Sequence, residues 1–211
     1  YVIQDKIVNR FRHLKTPVNI IVHDINYVND GLSEGQYFFT DIIREGVLLH
    51  DSGIFEFAEA RELTLSEQKA ISERYFNKWF SNANEFLVDT KNAFNRKSFN
   101  KAAFELHQAT EHFYNTVLLV FTGYKPKTHN LDKLRQHTKH LSEELFAVFP
   151  FPEEDETGRH LFDLLKRGYI DARYKEDYSI TAEELSELIN KVSDFRDITE
   201  RICLQKIGSF S

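Results

Sequence analysis

The sequence predicts a mainly α fold, an antiparallel bundle of about five helices preceded by a small α/β segment. From Thr64 onward, apolar residues recur at the three- to four-residue spacing of amphipathic helices. Before Thr64, β-branched residues cluster in short runs that turn residues separate. We therefore expect two regions, residues 1–62 with α/β character and residues 63–211 forming the bundle.

The first region shows two candidate strands and two candidate helices. Residues 17–23 begin at a proline and are rich in valine and isoleucine, which favours a buried strand. Residues 47–49 precede an Asp-Ser-Gly turn and are typical of a second short strand. Between them, residues 25–32 and 38–43 predict two short helices. This pattern is too short for a complete domain.

The first two helices of the bundle have clear boundaries. Thr64 and Glu67 form a capping-box pattern, which predicts a helix running to about Asn95. Ser98 can cap a second helix. Gly123 ends that helix, because glycine readily adopts the left-handed conformation that follows a helix C-terminus.

Three further helices follow. Asn130 can cap a third helix that stops at Pro150, and residues 154–174 predict a fourth. Thr181 and Glu184 form another capping box, which begins the fifth. Each helix is apolar on one face, so the helices must pack on each other or on a partner. An antiparallel bundle with short connections is the simplest arrangement.

Composition excludes several classes of protein. The single cysteine, Cys203, excludes an internal disulfide and favours a reducing, cytoplasmic location. No apolar run approaches the ~20 residues that span a bilayer, so we expect a soluble chain with no membrane partner. A net charge of −6 argues against binding nucleic acid over the whole surface. Between Lys125 and Lys139, however, five basic residues stand against one acid, which provides local positive charge.

Two segments resemble a known family. Residues 103–114 with 120–131 and residues 169–178 lie in the order and spacing of the central motifs of HEPN domains. The resemblance is closest to the branch found in sacsin and in prokaryotic fusions with a nucleotidyltransferase. It implies a helical bundle that handles nucleotides or RNA. It also implies homodimerisation, which we expect through the second and fourth helices.

The resemblance extends to the first region. In the fusions, a polymerase-β-like nucleotidyltransferase domain precedes the HEPN domain, and its last part is similar to residues 17–53. Such an enzyme needs a Gly-Ser turn for the nucleotide phosphates and an Asp-x-Asp pair for magnesium. Neither motif occurs before residue 60. We therefore expect no cofactor in this chain and Mg²⁺ only in an intact parent, of which this methionine-free chain would be a part.

Ribonuclease activity is in doubt. Many HEPN proteins cleave RNA without metal through an Arg-x(4–6)-His motif, whose histidine handles the proton of the attacking hydroxyl. The matching place here has Arg173, with Tyr178 where the histidine should be. Tyrosine titrates near ~10, so it is a poor base at neutral pH. Arg135 and His140 satisfy the spacing on the third helix, but that location is wrong for the family and indicates a solvated basic face.

A phosphate site is predicted on the connector after Gly123. Loop residues there can converge on the phosphate of ATP, GTP or RNA, together with Arg173 of the segment 169–178. The alternative is a well-ordered turn with exposed lysines. Tyr124 or Tyr174 could stack on a base, although an aromatic residue at such a position is more often part of the core. Tyr178 or Tyr174 could be the residue that a nucleotidyltransferase modifies. The predicted binding residues are Lys125, Lys127, His129, Arg173, Tyr174 and Tyr178.

A polar network is predicted beside this site. His107, Glu111 and Tyr114 share one face of the second helix. Two ligands one turn apart could hold a metal, but a zinc site usually needs a further ligand with its own spacing, so a buried hydrogen-bonded network is favoured. Asp171 is expected to orient Arg173 or Lys127 in the same way.

These observations predict a HEPN bundle that binds nucleotide or nucleic-acid phosphate. Two alternatives stay open. An intact parent could be a toxin–antitoxin-like enzyme that transfers AMP to a tyrosine or cleaves RNA. The bundle could also serve only to dimerise a larger protein.

Overall fold

A computed structural model describes Lys6, Arg10 and residues 20–149 and 155–210. The chain divides into two compact units, Tyr1–Glu62 and Leu63–Ser211. The described residues from position 20 onward contain nine helices and no strand. The predicted mainly α helical bundle is therefore confirmed.

The first unit contains two short helices, α1 (Ile25–Ser33) and α2 (Tyr37–Glu45), where the sequence predicted them. Asp24 caps α1 by accepting a hydrogen bond from the Asn26 amide at 2.9 Å. The two helices meet at Gly31, where a Cβ atom would collide with the ring of Phe39. Glycine therefore permits this close packing.

The strands predicted in the first unit are not confirmed. Residues 20–23 and 47–49 are neither strand nor helix, and residues 17–19 lie outside the described part. Val47 and Leu49 are 81% and 92% exposed. β-branched and apolar side chains favour a strand only where a neighbouring strand and a packing surface exist, and the described residues provide neither for this segment.

The second unit begins with two long antiparallel helices, α3 (Leu65–Asn95) and α4 (Phe99–Thr122). The predicted capping box is confirmed, because Thr64 accepts from the Glu67 amide and Glu67 accepts from the Thr64 amide. Gly123 follows α4 with a φ angle of +66°, which confirms the predicted end of that helix. Ser98 precedes α4, but its side chain makes no cap hydrogen bond.

The predicted third helix is two helices, α5 (Leu131–Thr138) and α6 (Glu143–Ala147). Asn130 caps α5 as predicted, by accepting from the Lys133 amide at 3.1 Å. A single helix as far as Pro150 is wrong. Ser142 begins a new helix instead, because its hydroxyl accepts from the Leu145 amide at 3.1 Å.

The predicted fourth helix is also two helices, α7 (Glu156–Arg167) and α8 (Asp171–Tyr174). Gly168 follows α7 at a close approach to α4, where a Cβ atom would lie 2.7 Å from the carbonyl oxygen of Ala103. The chain turns there and places residues 169–171 against α4. The fifth helix is confirmed as α9 (Ala182–Gly208), with its capping box.

Helix α4 lies at the centre of the second unit. Sixteen of its 24 residues are buried, and it contacts α3, α5, α7, α8 and α9. Its contact with α9 includes the rings of Tyr114 and Phe195, whose centroids lie 4.6 Å apart. Burying an aromatic side chain of this size stabilises a fold by about 1.5–3 kcal/mol. Polar residues of α4 are therefore held within the bundle interior.

Candidate functional site

A cavity of about 520 Å³ lies where α4, the connector before α5, and the turn between α7 and α8 meet. This volume is within the range of about 300–1,000 Å³ typical of small-molecule sites. Its polar and aromatic lining includes His107, His129, Lys166, Arg167, Tyr169 and Asp171.

A buried carboxylate holds the connector against α4. Glu111 is 3% exposed, and its two oxygens lie 2.9 and 3.1 Å from Nδ1 of His129. Since a carboxylate only accepts, His129 must donate from Nδ1. Burial alone would raise the pKa of Glu111, but the interactions with His107 and His129 outweigh it and hold the pKa below its ordinary value. Glu111 is therefore ionised at neutral pH.

His107 is fixed differently from His129. Its Nδ1 lies 3.1 Å from the carbonyl oxygen of Leu165, which only accepts, so Nδ1 carries a proton. Its Nε2 atom is buried, has no hydrogen-bond partner and lies 3.7 Å from Glu111. That distance is too long for a hydrogen bond, so the two groups interact electrostatically.

Tyr169 joins the two histidines. Its ring stacks with His107 at 5.1 Å and with His129 at 4.8 Å between centroids. Arg173 supports this position, because its Nε donates to the Tyr169 carbonyl oxygen at 2.7 Å and its guanidinium lies 4.9 Å from the ring. The cavity wall is therefore a set of connected aromatic rings.

Two cations complete the cavity, each beside an acidic residue. Nζ of Lys166 lies 3.2 Å from Asp132, and Nε of Arg167 donates to Asp171 at 2.8 Å. Asp171 also pairs with Lys175 at 3.1 Å. The hydrogen bond from Arg167 and that from Lys175 lower the pKa of Asp171. Asp171 thus orients Arg167, whereas the sequence predicted that it orients Arg173 or Lys127.

The predicted connector lysines lie outside the cavity lining. Nζ of Lys125 lies 5.1 Å from the ring centroid of Trp79 on α3. Lys127 is exposed on the connector two residues before His129. Of the predicted binding residues, the structure therefore brings His129 into the cavity and leaves these two lysines beyond its lining.

The predicted binding residues of the segment 169–178 also lie outside the cavity lining. Tyr174 is 74% exposed, and the Arg173 guanidinium lies 4.9 Å from its ring. Tyr178 is 3% exposed and donates from its hydroxyl to the Leu164 carbonyl oxygen at 3.1 Å. Burial raises the pKa of Tyr178, which makes it still poorer as a base. The three residues support or surround the cavity and do not line it.

Two further predicted residues are in the core. Tyr114 is fully buried against Phe195, and burial raises its pKa. It therefore packs in the core instead of joining the network of His107 and Glu111. The interpretation of the third helix as a solvated basic face is wrong for Arg135, which is buried with its guanidinium 3.7 Å from the ring centroid of Phe146. His140 is exposed, as expected.

Three cavity residues were not assigned a role from the sequence. Lys166 and Arg167 end α7 directly before Gly168, and Tyr169 follows that glycine. Tyr169 belongs to the motif segment 169–178. Two basic residues close before that segment were the sequence feature that could have indicated Lys166 and Arg167 as binding residues. The end of α7 at Gly168, which places Tyr169 against α4, could not be read from helical periodicity.

A comparison with family models identifies the bundle. The model described as HEPN domain matches residues 76–202, about three-fifths of the chain. This chain belongs to the HEPN domain family. The matched region includes the whole cavity, and membership indicates a role in nucleotide or RNA handling or in dimerisation. No curated protein matches the chain.

The structure adds two findings on ligands and location. Among the described residues, no group of three histidine, cysteine or acidic side chains is arranged to hold a metal ion. The helices of residues 20–149 and 155–210 include none with both the length and the apolarity to cross a membrane.

Proposed function

We propose that this HEPN protein binds the phosphate of a nucleotide or of RNA in the cavity between the connector and the α7–α8 turn. The observation that carries the proposal is that His129, Lys166 and Arg167 line one cavity. Imidazole, ammonium and guanidinium groups form charge-assisted hydrogen bonds to phosphate oxygens, which are stronger than neutral ones. The sacsin-like branch and a nucleotidyltransferase fusion remain part of this proposal.

The ion pairs of Lys166 and Arg167 leave both side chains able to bind a phosphate. Arg167 uses Nε for Asp171, so the guanidinium is oriented while its terminal N–H groups remain available for a phosphate. NH1 of Arg167 lies 4.0 Å from Asp163, which is a weak contact that a phosphate could replace. Lys166 is shared between Asp132 and Asp163, at 3.2 and 3.7 Å. A phosphate that binds Lys166 and the terminal N–H groups of Arg167 would thus compete with Asp132 and Asp163, which are about half exposed.

A longer ligand could reach the predicted residues outside the cavity. Lys127 is two residues from His129, so their Cα atoms are at most about 7 Å apart. On the other side, Arg173 and Tyr174 follow the cavity residue Asp171 in α8. RNA would then place one phosphate in the cavity and further nucleotides along Lys127 or Tyr174. A mononucleotide such as ATP or GTP would depend on the cavity residues alone.

Calorimetric titration tests the proposal, with ATP, GTP and a ten-nucleotide RNA as ligands. Lys166→Ala should weaken binding at least about tenfold, because a hydrogen bond to a charged group contributes about 1.5–3 kcal/mol. Lys91→Ala, which removes an exposed lysine of α3 outside the cavity, is the control and should leave the Kd unchanged. Absence of binding to all three ligands by the unaltered protein would show the proposal to be wrong.

An enzymatic parent is a second candidate. If an intact parent transfers AMP to a tyrosine, as in a toxin–antitoxin-like unit, Tyr174 is the better acceptor because it is 74% exposed, whereas the Tyr178 hydroxyl is buried. Mg²⁺ would then act in the transferase domain of that parent. Mass spectrometry of the protein expressed with its upstream sequence would test this.

Homodimerisation in the cytoplasm also remains a proposal. Most of α4 is buried inside the bundle, so a dimer surface formed by α4 and α7 would depend mainly on the exposed residues of α7. Light scattering across a range of protein concentrations would measure the dimer.

A further inference from the structure

We propose that His129 binds the ligand phosphate as an imidazolium, with the buried carboxylate of Glu111 as its counter-ion, so that phosphate binding takes up a proton. This inference rests on the proposed function and assigns a residue that selects the anion. The supporting observation is that the two ring nitrogens of His129, Nδ1 and Nε2, have different surroundings.

The inner end of the ring is occupied. Nδ1 of His129 donates to both oxygens of Glu111, at 2.9 and 3.1 Å. Glu111 is deeply buried, so this bond also fixes the ring orientation, as does the stacking contact with Tyr169 at 4.8 Å. Such a carboxylate fixes the tautomer of the imidazole and stabilises its protonated form.

The outer end of the ring is open. The His129 side chain is 57% exposed and lines the cavity. Since Nδ1 already carries a proton, an added proton must bind at Nε2, on the exposed side of the ring. Protonation therefore changes Nε2 from a hydrogen-bond acceptor into a cationic donor at the place where a phosphate would lie.

His107 cannot serve the ligand in this way. Its Nδ1 is used by the Leu165 carbonyl oxygen, and its Nε2 is buried 3.7 Å from Glu111. A proton on that atom would remain inside the bundle and would not contact an anion in the cavity. The two histidines thus share one carboxylate, but one of them presents a nitrogen to the ligand.

The charges around His129 suit an imidazolium that contacts an anion. Asp132 and Asp171 line the same cavity as Lys166 and Arg167 and pair with them, so these four charges balance when no ligand is bound. A bound phosphate would add negative charge beside His129 and so favour its protonated form. The titratable and charged groups on the elements around His129 are His107, Glu111 and His112 on α4, Lys125 and Lys127 on the connector, Asp132 on α5, Lys166 and Arg167 on α7, Tyr169 after α7, and Asp171 on α8.

The test counts protons by calorimetry in buffers of different ionisation enthalpy. AMP carries a terminal phosphate, and a ten-nucleotide RNA without terminal phosphates carries only backbone phosphodiesters, so the two ligands distinguish the source of the phosphate. His129→Phe keeps a ring that can stack on Tyr169 and removes the titrating nitrogens. It also corrects for the titration of AMP itself, because that contribution occurs with both proteins.

We expect the unaltered protein to take up about one proton more per bound ligand than His129→Phe does. Its Kd should rise by up to about tenfold per pH unit above the titration range of imidazole, since one proton is coupled to binding. The Kd of His129→Phe should change less with pH. His140→Phe, which removes an exposed histidine outside the cavity, should behave like the unaltered protein.

Two results would overturn the inference. Equal proton uptake by the unaltered protein and His129→Phe, with both still binding, would reject the imidazolium and leave the proposed function intact. Absence of binding by the unaltered protein at every pH would reject both. If His129→Phe fails to fold, the ring protons of His129 can be followed by NMR in the unaltered protein. If the pH dependence of these ring-proton signals is the same with and without ligand, the inference is wrong.

Discussion

The connector after α4 and the segment after α7 were both predicted to bind phosphate, but most of the predicted binding residues of each lie outside the cavity lining. The connector projects one predicted residue, His129, into the cavity and leaves Lys125 against Trp79. The later segment contributes Tyr169 and Asp171, which come first after Gly168, and sends Tyr178 into the core. Membership of a predicted segment thus does not decide whether a residue lines the cavity, because neighbouring residues of one segment have different surroundings.

The largest expected effect concerns Tyr178 and tests whether it is a core residue. Tyr178→Ala should lower the free energy of unfolding by about 3 kcal/mol or more, because it removes a buried aromatic ring and leaves a cavity. Tyr178→Phe should cost about 1 kcal/mol, since it loses only the bond to the Leu164 carbonyl oxygen. Urea denaturation measures both.

Neither change should alter ligand binding by the folded protein, because Tyr178 does not line the cavity. Folded Tyr178→Phe protein should bind RNA with the Kd of the unaltered protein. A large loss of affinity at nearly unchanged stability would instead return Tyr178 to the binding site.

The next effect concerns Glu111, which holds the cavity residue His129 in place. Glu111→Gln should lower the free energy of unfolding by about 2 kcal/mol at pH 7, because it removes a charge-assisted hydrogen bond in a buried position. The folded state holds the pKa of Glu111 below its ordinary value. The stability that this carboxylate contributes is therefore present above the unfolded pKa of about 4.3 and is lost as the pH falls through the folded pKa.

Urea denaturation at pH 7 and at pH 3.5 tests the sign of this dependence. The difference between the unaltered protein and Glu111→Gln should be largest at pH 7 and smaller at pH 3.5. A difference that grows from pH 7 to pH 3.5 would contradict a lowered pKa of Glu111 in the folded protein.

Much of the bundle could be predicted from local chemistry. Thr64 and Thr181 each begin a helix because a hydroxyl and a glutamate three residues later satisfy free backbone amides, and both residues are visible in the sequence. The break at Gly168 was not predicted, because it depends on the approach of Ala103, which is 65 positions earlier in the chain. The predicted strand at residues 47–49 failed for a related reason, since a strand requires a partner that local sequence does not reveal.

The cavity illustrates the same limit. His129 was predicted because it lies among basic residues on a connector, whereas Lys166 and Arg167 read as the end of a continuous helix. Their position in the same cavity as His129 results from the packing of α7 against α4. Sequence reasoning could therefore find one side of the cavity, and the fold was needed to supply the other.

The smallest expected effect concerns Tyr174, which is adjacent to Arg173 in the same segment as Tyr178. Tyr174→Ala should change the free energy of unfolding by no more than about 0.5 kcal/mol, because the ring is 74% exposed. Its affinity for AMP should be unchanged, since the cavity does not include Tyr174. Its affinity for a ten-nucleotide RNA should fall severalfold if a base stacks on the ring, since such stacking contributes about 1–3 kcal/mol per base. Equal affinities for RNA in Tyr174→Ala and the unaltered protein would confine the ligand to the cavity, and a loss with AMP would contradict the division between the two segments.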